Sequence, residues 1–339
     1  MKIDGAISIN LKHSAQSARD LEDAGYSGGW TAETSHDPFF PLLLAAQQTT
    51  NLELGTSIAV AFARNPMTLA NIGWDLQAFS RGRFILGLGS QIKPHITKRF
   101  SMEWSHPAAR MKEMIQAVRA IWDTWLTGVP LQFRGEFYRH TLMTPFFTPD
   151  RSDNSEWGVP KIFLAAVGEL MTEVAGEVCD GFICHGFTTE RYLREVTVPA
   201  LQRGRAKAGK TLDGFEIVGP SFVVTGTSAA EIAAAATSTK QQIAFYGSTP
   251  SYLGVLELHG WDDIHPQLNA LSKQGKWEAM GELVTDEMLN TFAVVGNPER
   301  IAPELHKRYG DVISRMSFYA PYKSDPQRWH KVLADLKSA

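Results

Sequence analysis

The segment 52–91 restricts the possible folds more than any other part of the chain. It reads as an apolar strand, a stretch with helical spacing at 65–79, and a second apolar strand. Both strands end in small polar residues, at 56–57 and at 89–91. Apolar bodies of this kind are typical of parallel strands that are buried on both faces. Because ligands bind at the carboxyl ends of parallel strands, the segment indicates an α/β fold with a candidate site at those ends.

The rest of the chain repeats this alternation of strand and helix. The predicted main strands are 2–9, 28–33, 52–61, 83–91, 161–167, 181–185, 216–225 and 313–320. Right-handed crossovers between such units close most naturally into a barrel. We therefore predict one α/β domain, a (β/α)8 TIM barrel over 1–339, with insertions at about 127–160 and 247–284. The alternative is a doubly wound open sheet, which is disfavoured because no Gly-x-Gly-x-x-Gly follows the first strand.

Composition and charge exclude several classes of function. Hydrophobic residues make up 44% of the chain and charged residues 20%, which argues against disorder. The net charge of -3 and the absence of a basic run disfavour nucleic acid as a partner. No apolar run approaches the roughly 18 residues of a membrane helix, and the first residues do not read as a targeting signal, so we expect a cytoplasmic protein. Cys179 and Cys184 match no redox or zinc spacing, and we expect two buried thiols and no metal site.

Motifs spread over most of the chain point to one family. They are Glu33-Thr-Ser-His-Asp-Pro-Phe39, Leu54-Gly-Thr-Ser-Ile-Ala59, Arg64-Asn-Pro66, Ser80-Arg-Gly-Arg-Phe-Ile-Leu-Gly-Leu-Gly-Ser-Gln91, Phe133-Arg-Gly-Glu-Phe-Tyr138, Ala175-Gly-Glu-Val-Cys-Asp-Gly181 and Phe292-Ala-Val-Val-Gly-Asn-Pro298. Together they resemble the bacterial luciferase-like flavin barrels, and within them the branch that uses the deazaflavin coenzyme F420.

The resemblance implies an oxidoreductase that transfers a hydride between F420 and a small organic substrate. Related enzymes use FMN on the same scaffold, so a monooxygenase that uses reduced FMN is one alternative. A flavin-binding protein without catalysis is another. Members of this family are often dimers, which makes a homodimer possible here.

The resemblance also implies a ring-binding platform and an acid/base pair. A cis peptide that does not involve proline is expected at Ser57–Ile58, where Thr56, Ser57 and Ile58 would support the ring. A carboxylate and an imidazole at one strand end can share a proton. His36 is therefore the candidate acid/base, and Glu33 its orienting or ring-contacting partner. The alternative for His36 is a residue that merely precedes the next helix.

Two further groups of residues are expected to bind the coenzyme. Gln91 or His95 would hydrogen-bond the pyrimidine edge of the ring, and Arg99 would reach an anionic tail, unless this segment is only a solvated loop.

The coenzyme phosphate is expected after strand five, at Ala166, Val167, Gly168 and Met171, because main-chain N–H groups at a helix start bind phosphate. Glu169 would repel an anion if it faced the site. The alternative for this segment is an ordinary strand-to-helix turn. His185, which ends strand six, either lines the pocket or belongs to the core.

Overall fold

The computed structural model describes residues 1–338, in which eight parallel strands alternate with helices and close into a (β/α)8 barrel. The predicted fold class is therefore confirmed. The strands are β1 (Lys2–Ala6), β2 (Gly28–Thr31), β3 (Glu53–Thr56), β4 (Ala59–Val60), β5 (Phe84–Gly89), β6 (Phe133–Arg134), β7 (Arg139–His140), β8 (Lys161–Ala166), β9 (Gly181–Cys184), β10 (Glu216–Thr225), β11 (Ala293–Gly296) and β12 (Arg315–Tyr319).

The helices complete the alternation. They are α1 (Leu11–Asp23), α2 (Phe39–Gln48), α3 (Pro66–Phe79), α4 (Pro107–Thr127), α5 (Glu169–Val178), α6 (Glu190–Tyr192), α7 (Val198–Lys207), α8 (Ala229–Gly247), α9 (Leu253–His259), α10 (His265–Lys273), α11 (Trp277–Glu282), α12 (Asp286–Phe292), α13 (Pro298–Tyr309) and α14 (Pro326–Ser338). The chain divides into two compact units. The N-terminal unit comprises Asp4–Ile183 and Ala200–Glu216, and the C-terminal unit comprises Met1–Ile3, Cys184–Pro199 and the residues from Ile217 onwards.

In the N-terminal unit, close approach of neighbouring strands explains two glycines in the sheet. Its strands pair in the parallel order β1-β2-β3-β5-β8-β9. A Cβ at Gly87 would lie 1.7 Å from the Thr56 carbonyl oxygen, and a Cβ at Gly55 would lie 2.3 Å from the Trp30 ring. Because no side chain fits at either place, glycine lets β5 approach β3 and lets the Trp30 ring pack against β3.

The helices of this unit bury the faces that their spacing predicts. In α4, the six apolar side chains that share one face at i, i+3 and i+4 spacing are all within 1% of complete burial: Met111, Ile115, Val118, Ile121, Trp122 and Trp125. Helix α3 begins at Pro66, and the Asn65 side chain caps it by accepting a 2.9 Å hydrogen bond from the Thr68 N–H. This cap and proline fix where the chain turns back after β4.

The first insertion contains a β-hairpin, which aromatic-rich flanks on either side of Gly135 favour. Strands β6 and β7 pair antiparallel, and the Glu113 carboxylate of α4 accepts hydrogen bonds from the N–H groups of Glu136, Phe137 and Tyr138 at the turn. The rest of the insertion consists of loops and two short 3-10 turns, at Pro145–Phe147 and Arg151–Asn154.

In the C-terminal unit, β10 is the central strand and pairs in parallel with both β11 and β12. Val218–Phe222 lie beside β12 and Phe222–Thr225 lie beside β11, so these two strands pair with successive parts of β10. The second predicted insertion folds as the short helices α9, α10 and α11, and their apolar side chains join one buried cluster with Phe222 and Phe292.

Both cysteines lie in buried positions. Cys179 and Cys184 are free thiols, and burial raises the pKa of each, that of Cys184 to about 12. The expectation of buried thiols is confirmed. Within residues 1–338, no helix is long and apolar enough to cross a membrane, and no group of three or more His, Cys, Asp or Glu side chains is arranged to hold a metal ion.

Candidate active site

All the predicted site residues lie in the N-terminal unit, at or just beyond the carboxyl ends of its strands. The peptide bond between Ser57 and Ile58 is cis, as the family resemblance implies. It separates β3 from β4, where the sequence predicts a single strand. The Ser57 N–H donates to the Thr31 carbonyl at 2.6 Å, and the Glu33 N–H donates to the Ile58 carbonyl at 3.1 Å. These two hydrogen bonds join the end of β2 to the end of β3.

The side chain of Thr56 bonds to the neighbouring strand, and its contact with the ring stays a prediction. Its side chain is fully buried, and its hydroxyl donates to the Gly87 carbonyl at 2.6 Å and accepts from the Gly87 N–H at 3.0 Å. The Thr56 hydroxyl of β3 thus satisfies both main-chain groups of Gly87 on β5. Ser57 and Ile58 are half-buried and keep surface that a ligand can contact.

Glu33 pairs with Arg64, an arginine to which the motifs assign no role. Its Oε2 accepts from Arg64 Nη1 at 2.6 Å and from the Val60 N–H at 2.7 Å, and its side chain is only 6% exposed. Arg64 also pairs with Asp37 at 3.0 Å and lies over the Phe39 ring, 5.3 Å from its centroid. The pair fastens the loop after β2 to the loop after β4.

His36 stands apart from this ion pair. The residue is exposed, and among the described residues no hydrogen bond joins its ring to Glu33 or to any other group. The structure therefore gives Glu33 a partner other than the expected one, and Glu33 does not orient His36. The imidazole remains free to exchange a proton with a ligand, and its acid/base role stays a prediction.

Gln91, His95 and Arg99 follow β5 and form one short segment. Gln91 has a φ of 58°, and its Oε1 accepts from the Ile92 N–H at 3.0 Å, which leaves the side-chain NH2 available as a donor. His95 is exposed and begins a single π turn that ends at Arg99. The Arg99 guanidinium donates to the Thr34 carbonyl, so the segment is tied to the loop after β2.

The amino end of α5 is open. Gly168 occupies the cap position without a side-chain cap, and nothing lies within 4 Å of where its Cβ would be. The Glu169 carboxylate is partly neutralised, because its Oε2 accepts from Arg203 Nη2 at 2.7 Å. The repulsion that Glu169 would exert on an anion is therefore reduced. Ala166, Val167 and Met171 are half-buried around the same turn.

Sequence reasoning missed the partners that hold these residues in place. Arg64 belongs to one of the family motifs, but nothing in the local pattern links it to Glu33, 31 residues earlier. Arg203 lies 34 residues from Glu169 on a different helix. The only signal for the first partner is that Arg64 belongs to the motif Arg64-Asn-Pro66, and no motif that we quote contains Arg203.

The chain matches the luciferase-like monooxygenase family over residues 3–315. It belongs to that family.

Relatives of this luciferase-like chain agree with the assignment. A protein of Mycobacterium tuberculosis that is named only as uncharacterized is 58% identical over 316 residues, which cover 93% of this chain and 92% of the relative. The F420-dependent glucose-6-phosphate dehydrogenase of Nocardia farcinica is 31% identical over 194 residues, 55% of this chain and 54% of that enzyme. Among solved structures, the coenzyme F420-dependent tetrahydromethanopterin reductase of Methanopyrus kandleri superposes with a TM-score of 0.77 at 19% identity, and covers 99% of this chain and 96% of that one. The last match supports the fold.

Proposed function

We propose that this luciferase-like protein is an oxidoreductase that transfers a hydride between coenzyme F420 and a small organic substrate. The observation that carries the proposal is the combination of family membership with an open amino end of α5 that suits a coenzyme phosphate. A relative with 31% identity is named as F420-dependent, which favours the deazaflavin over other coenzymes.

The residues at the strand ends fit such a coenzyme. The first N–H groups of a helix have no partner within the helix and therefore favour an anion. At α5 the cap residue is Gly168, which has no side chain to accept hydrogen bonds from these N–H groups. The NH2 group of Gln91 suits a carbonyl at the polar edge of the ring. Ser57 and Ile58 would lie behind the ring, and Arg99 would supply a cation to the tail.

The protein's own part in the reaction is orientation and proton handling. When bound, the deazaflavin supplies or accepts the hydride. His36 holds or releases the proton that accompanies it, because its ring is exposed and free of protein partners. The Arg64–Glu33 pair keeps the loop that carries His36 in place.

A monooxygenase that uses reduced FMN is the second candidate, and the family's own description favours it. The two candidates separate in one experiment. The purified protein is titrated with F420 and with FMN under anaerobic conditions while the absorbance and fluorescence of each coenzyme are followed.

Turnover is then measured in two ways: reduction of F420 with a panel of alcohols, and oxygen consumption with reduced FMN. Binding of F420 and its reduction by an organic substrate support the proposal. Binding of FMN alone, with oxygen consumption, contradicts it and supports the monooxygenase. Binding of either coenzyme with no turnover on a broad panel supports a protein that binds flavin without catalysis.

A further inference from the structure

A compact group of one imidazole and three phenols lies in the C-terminal unit, outside the residues used above. His185 directly follows β9, and Tyr319 is the last residue of β12. Tyr246 comes from the last turn of α8 and Tyr252 from the 3-10 turn that precedes α9. The His185 ring stacks on Tyr252 at 4.4 Å and meets Tyr246 edge-on at 4.7 Å. Carboxyl ends of barrel strands are where folds of this class bind ligands.

The hydrogen bonds of His185 define its protonation. The Phe187 N–H donates to His185 Nδ1 at 3.0 Å, so this nitrogen carries no proton. A neutral ring must then carry its proton on Nε2, which lies 3.1 Å from the Tyr252 hydroxyl. Burial lowers the pKa of His185 to about 4, in agreement with a neutral ring. The imidazole is therefore the donor and the Tyr252 oxygen is the acceptor.

Counting donors leaves two phenol protons without an acceptor. Tyr252 accepts from His185, so its own O–H proton is free. Tyr246 and Tyr319 share one hydrogen bond of 2.7 Å, which uses one of their two protons. Within the described part of the chain, no other side chain or carbonyl accepts from these three hydroxyls. All three tyrosines are half-buried rather than fully enclosed in the core.

The cluster is built tightly. A Cβ at Gly186 would lie 2.9 Å from the Tyr319 ring, so Tyr319 packs against the main chain that follows His185. Tyr319 also stacks on Phe222 at 4.6 Å. Burial raises the pKa of Tyr319 and that of Tyr252, the latter to about 12, so both phenols stay protonated at neutral pH. The four polar side chains consequently offer O–H donors and no net charge.

We propose that His185, Tyr246, Tyr252 and Tyr319 form a binding site for the oxygen atom of a neutral organic substrate, such as a ketone or an alcohol. The two free phenol protons donate to that oxygen. This assignment of substrate class rests on the proposed oxidoreductase function, since the oxygen-bearing carbon of such a substrate is the one that gains or loses a hydride. Uncharged donors favour a carbonyl or hydroxyl oxygen over a carboxylate, which would need a cation.

The test uses three small fluorinated probes and the whole protein without coenzyme. Binding of 4-fluoroacetophenone, 1-ethyl-4-fluorobenzene and 4-fluorobenzoate is measured by 19F NMR line broadening. The ketone is expected to bind about fivefold more tightly than the hydrocarbon, the size of effect that one or two neutral hydrogen bonds give, and more tightly than the benzoate. Equal binding of ketone and hydrocarbon, or strongest binding of the benzoate, overturns the proposal.

The double variant His185→Phe/Tyr252→Phe removes the free Tyr252 proton without releasing the His185 Nε2–H, so the preference for the ketone should fall about threefold while hydrocarbon binding is unchanged. The double variant Tyr246→Phe/Tyr319→Phe, which removes the other free proton, provides a second test if the first does not fold. The matched control is Tyr322→Phe, whose hydroxyl is already paired with the Val223 carbonyl and the Thr225 N–H in the same unit. A preference that survives both cluster variants overturns the proposal. Because no coenzyme is present, failure to bind F420 is a separate result and bears only on the proposed function.

Discussion

The ion pair between Arg64 and Glu33 gives the sharpest energetic prediction, because one partner is nearly inaccessible to water. Glu33 is 6% exposed and Arg64 14% exposed. Arg64→Met keeps most of the side-chain volume but leaves the Glu33 carboxylate with only the Val60 N–H. Removing one partner of a buried pair costs about 3–5 kcal/mol. The bond to the more exposed Asp37 adds at most about 1 kcal/mol, so we expect a loss of about 3 kcal/mol or more.

The assay is a double-mutant cycle by urea unfolding. Arg64→Met, Glu33→Met and the double variant are compared with the wild type, and the double variant should recover much of the loss because no buried charge is left alone. The control cycle uses Lys331 and Asp335, which form an exposed pair one turn apart on α14 and should couple by less than about 0.5 kcal/mol. A loss below 1 kcal/mol for Arg64→Met, or a coupling no larger than that of the control pair, refutes the reasoning.

Three further predictions follow from the site and the buried groups. His36→Ala should lower turnover by about 10²-fold or more, as expected for loss of a general acid/base, and should leave the Kd for F420 unchanged. The control is His13→Ala at an exposed position, which should change neither quantity. Steady-state rates measure turnover, and a fluorescence titration measures the Kd. The pKa of His185 is lowered to about 4 from an unfolded value near 6.5, so the stability contributed by the neutral ring is present above pH 6.5 and is lost as the pH falls toward 4. The difference in unfolding free energy between wild type and His185→Phe should therefore shrink by up to about 3 kcal/mol between pH 7 and pH 4, and a constant difference would contradict it. Cys179 and Cys184 should resist a disulfide reagent at pH 8 in the native protein, because burial raises the pKa of both thiols. Both should react when the protein is unfolded in urea. Rapid labelling of the native protein would be inconsistent with that burial.

Most of the fold could be predicted from the local periodicity of apolar residues and from the residues that favour turns. The buried face of α4 and the hairpin at β6 and β7 follow from side-chain spacing and from a glycine between aromatic residues, so both could be predicted. The short strand β11 is not among the predicted strands. Its four residues form a strand because they pair with the last four residues of β10. Strand formation there depends on a partner that lies 71 residues earlier in the sequence, since Phe222 pairs with Ala293.

The candidate site was predicted less completely than the fold. Its residue types and their position at strand ends could be deduced, but their partners could not. The family resemblance places Thr56 at the end of β3, but it does not indicate that the Thr56 hydroxyl bonds to both main-chain groups of Gly87. The bond between His185 and Tyr252 spans 67 residues and depends on how α8 ends. Contacts of this kind are set by tertiary packing, which no local pattern encodes.

The claim at the centre of this account is that the open end of α5 receives the coenzyme phosphate, and two substitutions at Gly168 test it most directly. Gly168 has φ -83° and ψ 151°, a conformation that other residues adopt, and its Cβ would meet nothing. Gly168→Asp and Gly168→Asn should both supply the missing helix cap and leave stability equal or slightly higher. The two side chains differ in charge and hardly in size.

The decisive measurement is the Kd for F420 of these two variants, by fluorescence titration at low salt. If the phosphate lies at this helix end, the Asp carboxylate repels it at a few Å and should weaken binding at least tenfold more than Asn does. The difference should shrink as salt is added. Equal affinities for the Asp and Asn variants, with both proteins folded, would show that the phosphate lies elsewhere.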